Sequence, residues 1–182
     1  MKSRQGIFRA MADLLQEKEF SQITVTDLLR LSGVSRSTFY AHFRSKEEVI
    51  QGLCDEMFHH VLSPDLKKEH GHDFSHYPVF DYRHLLTHFL FHVQEDKDLI
   101  YAIVSSGASQ VFRLALRESL SPIMNACVES HAIENPSIDS SLHAKILTET
   151  FLVILDDWIL SGCIKSPDEV CGVFFAFSKT SK

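Results

Sequence analysis

The sequence predicts an all-α protein of about nine helices, and three observations support this fold class. Apolar residues recur at three- and four-residue spacing through most long segments, as expected for helices that bury one face. Glycine and proline account for only 7 and 5 of the 182 residues, so few positions interrupt a helix. An apolar content of 45% is ample for a packed core. We expect an N-terminal three-helix domain over residues 1–60 and a second helical domain over residues 61–182.

The first predicted helix covers residues 3–18 and is amphipathic. Ile7, Met11 and Leu14 fall on one side at helical spacing, whereas the charged side chains fall elsewhere. This helix is expected to cover the core of the small N-terminal domain.

Capping and turn residues divide the next stretch into two short helices and the start of a fourth helix. Thr24 is a candidate N-cap, and Asp27 occupies the third helical position, where a carboxylate interacts favourably with the helix dipole. Gly33 can adopt the positive φ that ends a helix, and Ser35 can cap the helix that follows. Ser45 opens the fourth helix with a capping-box sequence. This arrangement is typical of a helix-turn-helix.

The third predicted helix has an apolar inward face and a small, polar outward face. Phe39 and Phe43 are one turn apart and face inward, which leaves Ser37 and Ala41 pointing away. The flanks carry Arg36, Thr38, Tyr40 and His42. Small polar residues allow close approach to a major groove, and Arg and Tyr can reach phosphates or base edges. We therefore predict a DNA-binding surface here, with Lys46 close enough to contact a phosphate.

The net charge of −6 conceals an asymmetry along the chain. Residues 1–46 contain eight Lys and Arg against four Asp and Glu, a balance of +4, which leaves −10 for the remainder. A basic segment attached to an acidic body fits a DNA-binding protein whose body is repelled by phosphates.

The sequence of the C-terminal two-thirds predicts a linker followed by five more helices. Polar residues 64–78, bounded by prolines, are expected to form a loop. The helices are expected at Asp81–Val93, from an Asp96 cap to about Val104, after Gly107 to about Glu129 with a kink or break at Pro122, at Ser141–Leu160, and from the Ser166 capping box onward. The eighth helix is apolar on more than one side, and the ninth is rich in aromatic residues, which predicts a contact between subunits.

The run from Ile23 to Ile50, ITVTDLLRLSGVSRSTFYAHFRSKEEVI, resembles the DNA-binding domain of the TetR (tetracycline-repressor) family of bacterial transcriptional regulators. The resemblance extends over about residues 5–60. Leu29 and Ser32 depart from it, since they stand where the family usually has alanine. The later residues Phe89, Val93, Gly107, Phe112, Trp158 and Ser161-Gly162 resemble the C-terminal part of TetR-like regulators, some of them located beside dihydroxyacetone kinase genes.

This resemblance implies a homodimer that binds a near-palindromic operator in double-stranded DNA. The residues that would contact DNA are Thr24, Thr26, Ser35, Arg36, Ser37, Thr38, Tyr40, His42 and Lys46. The last two long helices would form the dimer interface, through Phe151, Ile154, Leu155, Trp158, Val170 and Phe174. An effector cavity among helices four to eight would be lined by Phe58, His88, Tyr101, Phe112 and Phe151, although such residues are more often plain core.

Histidines recur every four residues on the fifth predicted helix, at His84, His88 and His92. Such spacing can bind a transition metal or act as a pH-dependent switch. We favour a polar or half-buried stripe, because no Glu or Cys ligand accompanies them at a reliable spacing. Further histidines near the linker are interpreted as solvated, namely His59, His60, His70 and His72. No metal, cofactor or catalytic residue is therefore assigned.

Several classes of function find no support in the sequence. There is no G-x-S-x-G, no phosphate-binding glycine loop and no Cys/His pair at a recognised spacing, so an enzyme is not expected. Four cysteines without a C-x-x-C pair, and no signal peptide, favour reduced thiols packed in the core and a cytoplasmic location. No apolar run approaches the ~20 residues that span a membrane.

The sequence thus predicts a dimeric repressor that a small-molecule effector releases from DNA by changing the spacing of its two helix-turn-helix units. The alternative is an effector-independent regulator or activator, whose C-terminal domain only dimerises or binds a partner protein. A helical interaction module that no longer binds DNA is disfavoured, because Tyr40, Lys46 and the basic balance are retained.

Overall fold

The computed structural model describes residues 2–63, 73–74, 81–133, 135 and 137–178, and this part of the chain is all-helical. It contains nine α-helices, which confirms the predicted fold class. Their bounds are α1 Lys2–Glu17, α2 Val25–Ser32, α3 Arg36–Tyr40, α4 Lys46–Val61, α5 Tyr82–Glu95, α6 Lys97–Val104, α7 Ser109–Glu129, α8 Ser140–Leu160 and α9 Pro167–Ser178. A short 3₁₀ turn, Phe20–Gln22, lies between α1 and α2. The linker predicted over residues 64–78, with His70 and His72, lies outside the described residues except for Asp73 and Phe74.

The helix-turn-helix boundaries follow the predicted capping residues. The Thr24 hydroxyl accepts the backbone N–H of Asp27, while the Asp27 carboxylate accepts the backbone N–H of Thr24 at 3.0 Å, a complete capping box. Gly33 ends α2 in the left-handed region, with φ 66°. The Ser35 hydroxyl then caps α3 by accepting the N–H of Thr38 at 3.1 Å. These short-range predictions are confirmed.

Three other local predictions are corrected. Ser45 caps α4, but the Glu48 carboxylate accepts the backbone N–H of Arg44 at 2.7 Å, so the reciprocal half of a capping box is displaced by one residue. Asp96 does not cap α6 with its side chain, because the same residue ends α5 and its backbone is not extended. Pro122 does not break α7, which continues through it as one helix at the loss of a backbone donor.

Helix α4 connects the two halves of the molecule. It packs against α1 on the N-terminal side and against α5 and α7 on the C-terminal side. Helix α8 packs along α7, α6 and α9, and α9 also packs on α5. We call α1–α3 the N-terminal unit and α5–α9 the C-terminal unit. The domain boundary at residue 60 stays a prediction, and it falls in the last turn of α4.

The residues predicted to form the dimer interface lie mostly inside one subunit. Phe151, Leu155, Trp158, Val170 and Phe174 are all buried in the core of the single chain, and Ile154 is partly buried. The five buried side chains therefore have no surface to offer a partner, which corrects that assignment. The apolar side chains that α8 and α9 leave exposed are Leu142, Ile146, Val153, Leu160 and Phe177.

Within the described part of the chain, no single helix has the length and apolar composition needed to cross a membrane. Helices α6 and α7 meet these requirements only when taken together, and they are bent by 115° at their junction.

The four cysteines are free and buried. Burial raises the pKa of the Cys127 thiol to about 12 and also raises the pKa values of Cys163 and Cys171. Thiols in such surroundings are poor nucleophiles, which favours the core-packing interpretation.

Candidate nucleic-acid interface

Three aromatic rings fix the inward face of α3. Phe39 lies 5.9 Å from Phe43, and Phe43 lies 5.8 Å from Phe8 of α1, measured between ring centroids. Because these rings are buried, the opposite side of α3 faces outward. Arg36 and Ser37 are exposed there, and the Tyr40 side chain is 48% exposed with its ring edge against Phe39.

Most residues predicted to contact DNA reach the surface of the N-terminal unit. Thr38 and Lys46 are partly buried. The other seven are exposed, namely Thr24, Thr26, Ser35, Arg36, Ser37, Tyr40 and His42. Exposure makes a contact with DNA feasible, but the contacts themselves stay predictions.

His42 does not lie on α3, contrary to the prediction. The helix ends at Tyr40, and His42 belongs to the turn that follows. Its Nε2 atom lies 3.1 Å from the hydroxyl of Ser3, so the imidazole contacts the start of α1. The turn is fixed by the burial of Phe43 immediately after it.

Three hydroxyl groups cluster at the start of α3. The Ser35 Oγ lies 3.0 Å from the Ser37 Oγ and 2.7 Å from the Thr38 Oγ1. A hydroxyl can donate and accept, and it rotates to suit its partner. The cluster can therefore exchange an internal hydrogen bond for one to a phosphate or a base edge without moving the backbone.

Lys46 has an internal role that the sequence did not show. Its ammonium donates to the carbonyl oxygens of Phe20, Ser21 and Ile23 at 2.6, 3.3 and 2.9 Å. It also lies 4.5 Å from the centroid of the Phe20 ring. An ammonium has three donors, and here all three are used. Lys46 thus fastens the α1–α2 connection to the start of α4, and its predicted phosphate contact would have to compete with these bonds.

Asp27 organises the start of α2 through charge. Its carboxylate accepts from the Lys18 ammonium at 2.7 Å and from the Thr24 hydroxyl at 2.8 Å. The hydrogen bond from Lys18, followed by those from Thr24, holds the pKa of Asp27 well below its usual range. The Thr24 hydroxyl is consequently committed to the cap, so a phosphate at this corner would be held by Thr26 or by backbone N–H groups.

Two exposed arginines were missed as candidate DNA contacts. Arg44 is exposed in the turn before α4, next to the α3 surface. Arg30, in the last turn of α2, has a side chain that is 77% exposed and only 3.6 Å from Asp27. Arg44 could have been recognised from the sequence, because it is a basic residue directly before a helix N-cap. Arg30 could not, because the direction of its side chain depends on how α2 packs.

Comparison with known proteins agrees with this geometry. The family model described as "Bacterial regulatory proteins, tetR family" matches residues 7–53, the stretch that forms α1–α3 and the first half of α4. A TetR transcriptional regulator from Streptococcus agalactiae has a similar structure, with a TM-score of 0.69, 25% identity, and coverage of 98% of this chain and 94% of that one. The chain belongs to the TetR family.

Two further similarities bear on the two halves of this TetR-family protein. The regulator EthR of Mycolicibacterium smegmatis is 48% identical over 44 residues, which are 24% of this chain and only 20% of that protein. The chain thus aligns with a fifth of that relative's length. The structure of DhaS, a dihydroxyacetone kinase operon activator, covers 96% of this chain and 93% of its own with a TM-score of 0.64. At 15% identity, that likeness shows the fold alone.

The residues predicted to line an effector cavity do not come together around one space. Phe58 stacks on Phe89 at 4.5 Å, and Phe89 lies 6.3 Å from Phe151, so these rings pack into the core. Phe112 is buried and Tyr101 is 48% exposed.

An open cleft of about 670 Å³ lies elsewhere, between α1 and the helices α4–α6. It adjoins three of the helices named in the prediction, α4, α5 and α6, but none of the five predicted lining residues is among the residues that line it. Its apolar and histidine lining includes Phe8, Leu53, Met57, His60, His92 and Leu99.

Proposed function

We propose that this protein is a homodimeric, sequence-specific DNA-binding transcriptional regulator of the bacterial cytoplasm that recognises a near-palindromic operator. The observation that carries the proposal is the outward side of α3, where Arg36, Ser37 and Tyr40 are exposed on a rigid, capped helix-turn-helix. The charge of residues 1–46, +4 against −10 for the rest, orients this end of the molecule toward phosphates.

The roles within the surface follow from side-chain chemistry. Arg36 and Thr38, at the start of α3, would contact base edges in the major groove, since such helices present their N-terminal residues to the bases. Tyr40 and Arg44, at the other end of α3 and in the turn beyond it, would contact phosphates.

Dimerisation is supported by an exposed apolar face on α8 and α9. Ile146, Val153, Ile154 and Phe177 line an open groove of about 500 Å³ whose surface is almost entirely apolar. Phe177 is 77% exposed and Val153 59% exposed, which is costly for side chains of this size in water. A second copy of the same face would bury them around a two-fold axis.

Release from DNA by an effector is supported by the position of the cleft. The cleft is lined by α1 and by α4, α5 and α6, so a ligand that fills it would contact both the N-terminal unit and the C-terminal unit. A ligand that prefers one arrangement of these units shifts the population toward it. We propose repression that such a ligand relieves.

The second candidate is an activator, or a regulator that needs no effector. Two observations favour it. The predicted cavity residues are packed against one another, and a regulator named as the activator of the dhaKLM operon, DhaS of Lactococcus lactis, is 30% identical over 57 residues. A reporter gene placed under the operator in a cell with and without the regulator separates repression from activation by the sign of the change.

The test of DNA recognition is selection of bound DNA from a random pool, followed by affinity measurements at several salt concentrations. Arg36→Ala and Thr38→Ala should alter sequence preference, at about 1–3 kcal/mol for a lost base contact. Arg44→Gln should weaken binding to all sequences and reduce the salt slope by about 1 per subunit. Lys165→Gln, an exposed lysine in the C-terminal unit, is the control. If all variants bind the selected DNA like the parent, α3 is not the recognition element.

A further inference from the structure

Three imidazoles from two helices converge at the end of α4. We propose that His60, His88 and His92 form a binding site for a divalent transition-metal ion of the zinc type. One ligating nitrogen of each residue lies within 4.8 Å of those of the other two. The ring centroids of His60 are 5.3 Å from those of His88 and 4.7 Å from those of His92.

The distances suit a metal ion after a small adjustment. The Nε2 atoms of His88 and His92 are 2.9 Å apart, as their spacing of one turn on α5 dictates. In a tetrahedral site with Zn–N bonds of about 2.0–2.1 Å, the nitrogens lie roughly 3.3 Å from one another. The three ligand nitrogens lie within 4.8 Å of one another, so the His60 nitrogen has to approach the other two by at most about 1.5 Å. Three neutral imidazoles select zinc, cobalt or nickel over the hard cations magnesium and calcium.

The carboxylate of Glu95 contacts the ring nitrogen of His92 that does not face His88. The Glu95 Oε2 lies 3.1 Å from the Nδ1 of His92. A bond from Nδ1–H to a carboxylate orients an imidazole and leaves its Nε2 lone pair directed at the metal. The Phe74 ring stacks on His88 at 4.7 Å and restricts its rotation. Two of the three ligands, His88 and His92, are therefore positioned before an ion arrives.

The site borders the cleft between α1 and α4–α6. His60 and His92 line this cleft, whereas His88 is buried, with an exposure of only 2%. The cleft gives an ion a path of entry and leaves room for a water molecule or a second ligand in the fourth position.

The structure assigns a different third ligand from the one that the sequence spacing suggested. The Nδ1 of His84 is 2.7 Å from the Asp81 carboxylate, at the start of α5. His60 takes its place from α4, although it lies 28 residues before His88 in the sequence.

An ion at this site would connect the helix that carries the N-terminal unit to the C-terminal unit. His60 is in the last turn of α4, while His88 and His92 belong to α5. Metal binding would fix the end of α4 on α5 and so bias the position of α1–α3. This regulatory consequence rests on the proposed function in DNA binding, whereas the proposal of the metal site is independent of that function.

The binding test uses tag-free, full-length protein freed of metal with a chelator. Co²⁺ titration should give visible absorption bands of a tetrahedral complex at one ion per chain, and Zn²⁺ should displace the Co²⁺. His60→Gln and His92→Gln, both at partly exposed positions, should abolish the bands. Glu95→Gln should weaken binding roughly 10- to 100-fold. His59→Gln, which alters the exposed neighbour of His60, and His84→Gln are matched controls that should bind like the parent.

Circular dichroism and thermal unfolding of each variant without metal show whether it is folded. Folded His60→Gln and His92→Gln variants that bind Co²⁺ like the parent would overturn the site, and so would a parent that binds no Co²⁺. In that case the histidines form a hydrogen-bonded aromatic cluster only. For the regulatory step, the affinity for the selected operator is measured with Zn²⁺ and with chelator. A shift of fivefold or more in the parent and in His59→Gln, absent in His92→Gln, supports coupling. A parent that binds both Zn²⁺ and DNA with no shift overturns coupling alone.

Discussion

Single residues determine how closely the helices of the N-terminal unit approach one another. Gly52 lies in α4 against the Phe43 ring, and Arg4 of α1 donates to the Gly52 carbonyl at 3.2 Å while its guanidinium lies 5.3 Å from the centroid of Phe43. A Cβ atom at residue 52 would come within 2.6 Å of the ring edge of Phe43. Glycine is required here for close packing, not for backbone freedom.

Gly52→Ala should therefore lower the free energy of unfolding. Overpacking a buried contact costs about 1–3 kcal/mol, which exceeds the gain of about 1 kcal/mol from replacing glycine in a helix. The measurement is equilibrium unfolding in urea. Gly6→Ala in α1 is the matched control, since its nearest neighbour would be 3.8 Å away, and it should stabilise the protein. A Gly52→Ala variant as stable as Gly6→Ala would show that Phe43 moves freely.

Lys46 shows how one side chain can carry two interpretations. Its position at the start of α4 predicts a phosphate contact, but its three donors bind carbonyl oxygens of the α1–α2 connection. Loss of DNA binding on replacing Lys46 would therefore not by itself identify a phosphate contact. Arg44, whose side chain is exposed, is the cleaner probe.

At the scale of elements, the apolar sides of α8 have different surroundings. Its apolar residues cover more than one side, and one side packs in the subunit core through Phe151, Leu155 and Trp158. The other side exposes Val153 and Leu160. Glu149 and Asp156 of α8, which are partly exposed, form ion pairs with Arg113 and Arg117 of α7, and these pairs fix the register of the two helices. The Arg117 and Arg113 guanidinium groups lower the pKa of Glu149.

Val153→Lys should convert the dimer into monomers without unfolding them. Glu149, which lines the same groove, is already paired with Arg113 and Arg117. An ammonium buried at the two-fold axis would therefore be poorly compensated, which should weaken association at least about a hundredfold. Sedimentation velocity measures the oligomeric state, and circular dichroism checks the fold. Leu114→Lys on α7, at 55% exposure against 59% for Val153, is the control and should remain dimeric.

A Val153→Lys protein that remains dimeric at the same concentration would place the interface elsewhere. A charge at Phe174 would not be a useful substitute, because that ring is fully buried and 5.2 Å from Phe151. Such a variant would lose stability whether or not the protein is a dimer.

At the scale of the whole molecule, α4 and the exposed apolar face of α8 and α9 would together set the distance between the two DNA-binding surfaces of the proposed dimer. The N-terminal unit is joined to the C-terminal unit through α4, which packs on both, and through the contact of α6 with α1. A shift in the tilt of α4 is therefore carried to α3. The net negative charge of the C-terminal two-thirds disfavours phosphate contacts away from the N-terminal unit.

Selection from a random DNA pool should yield near-palindromes with the parent. The half-site centres should be about 34–36 Å apart, one helical turn, or a small multiple of it. Val153→Lys should select single half-sites with much weaker binding, because the second contact is lost. Single half-sites selected by the dimeric parent would contradict a two-fold arrangement of the α3 helices.

The sequence by itself determined the features that depend on residues within about four positions of one another. The helix starts after Thr24, Ser35 and Ser166 were predictable because a capping side chain bonds to a backbone N–H group three residues away. The end of α2 at Gly33 was predictable because glycine readily adopts a positive φ. The inward direction of Phe39 and Phe43 followed from helical spacing in the same way. Together with the family resemblance, these features were enough to predict the fold class, which the structure confirms, and a DNA-binding surface, whose contacts stay predictions.

Only the tertiary structure decided which residues from distant segments meet. It placed Lys46 on the α1–α2 connection, turned the Phe151 side of α8 into the subunit core, and brought His60 to His88 and His92. Helical periodicity shows that a side chain lies on a given face, but it cannot show which helix covers that face. That choice depends on the packing of all the helices at once, and so the exposed apolar face of α8 and α9, the cleft and the histidine cluster could be located only in the folded chain.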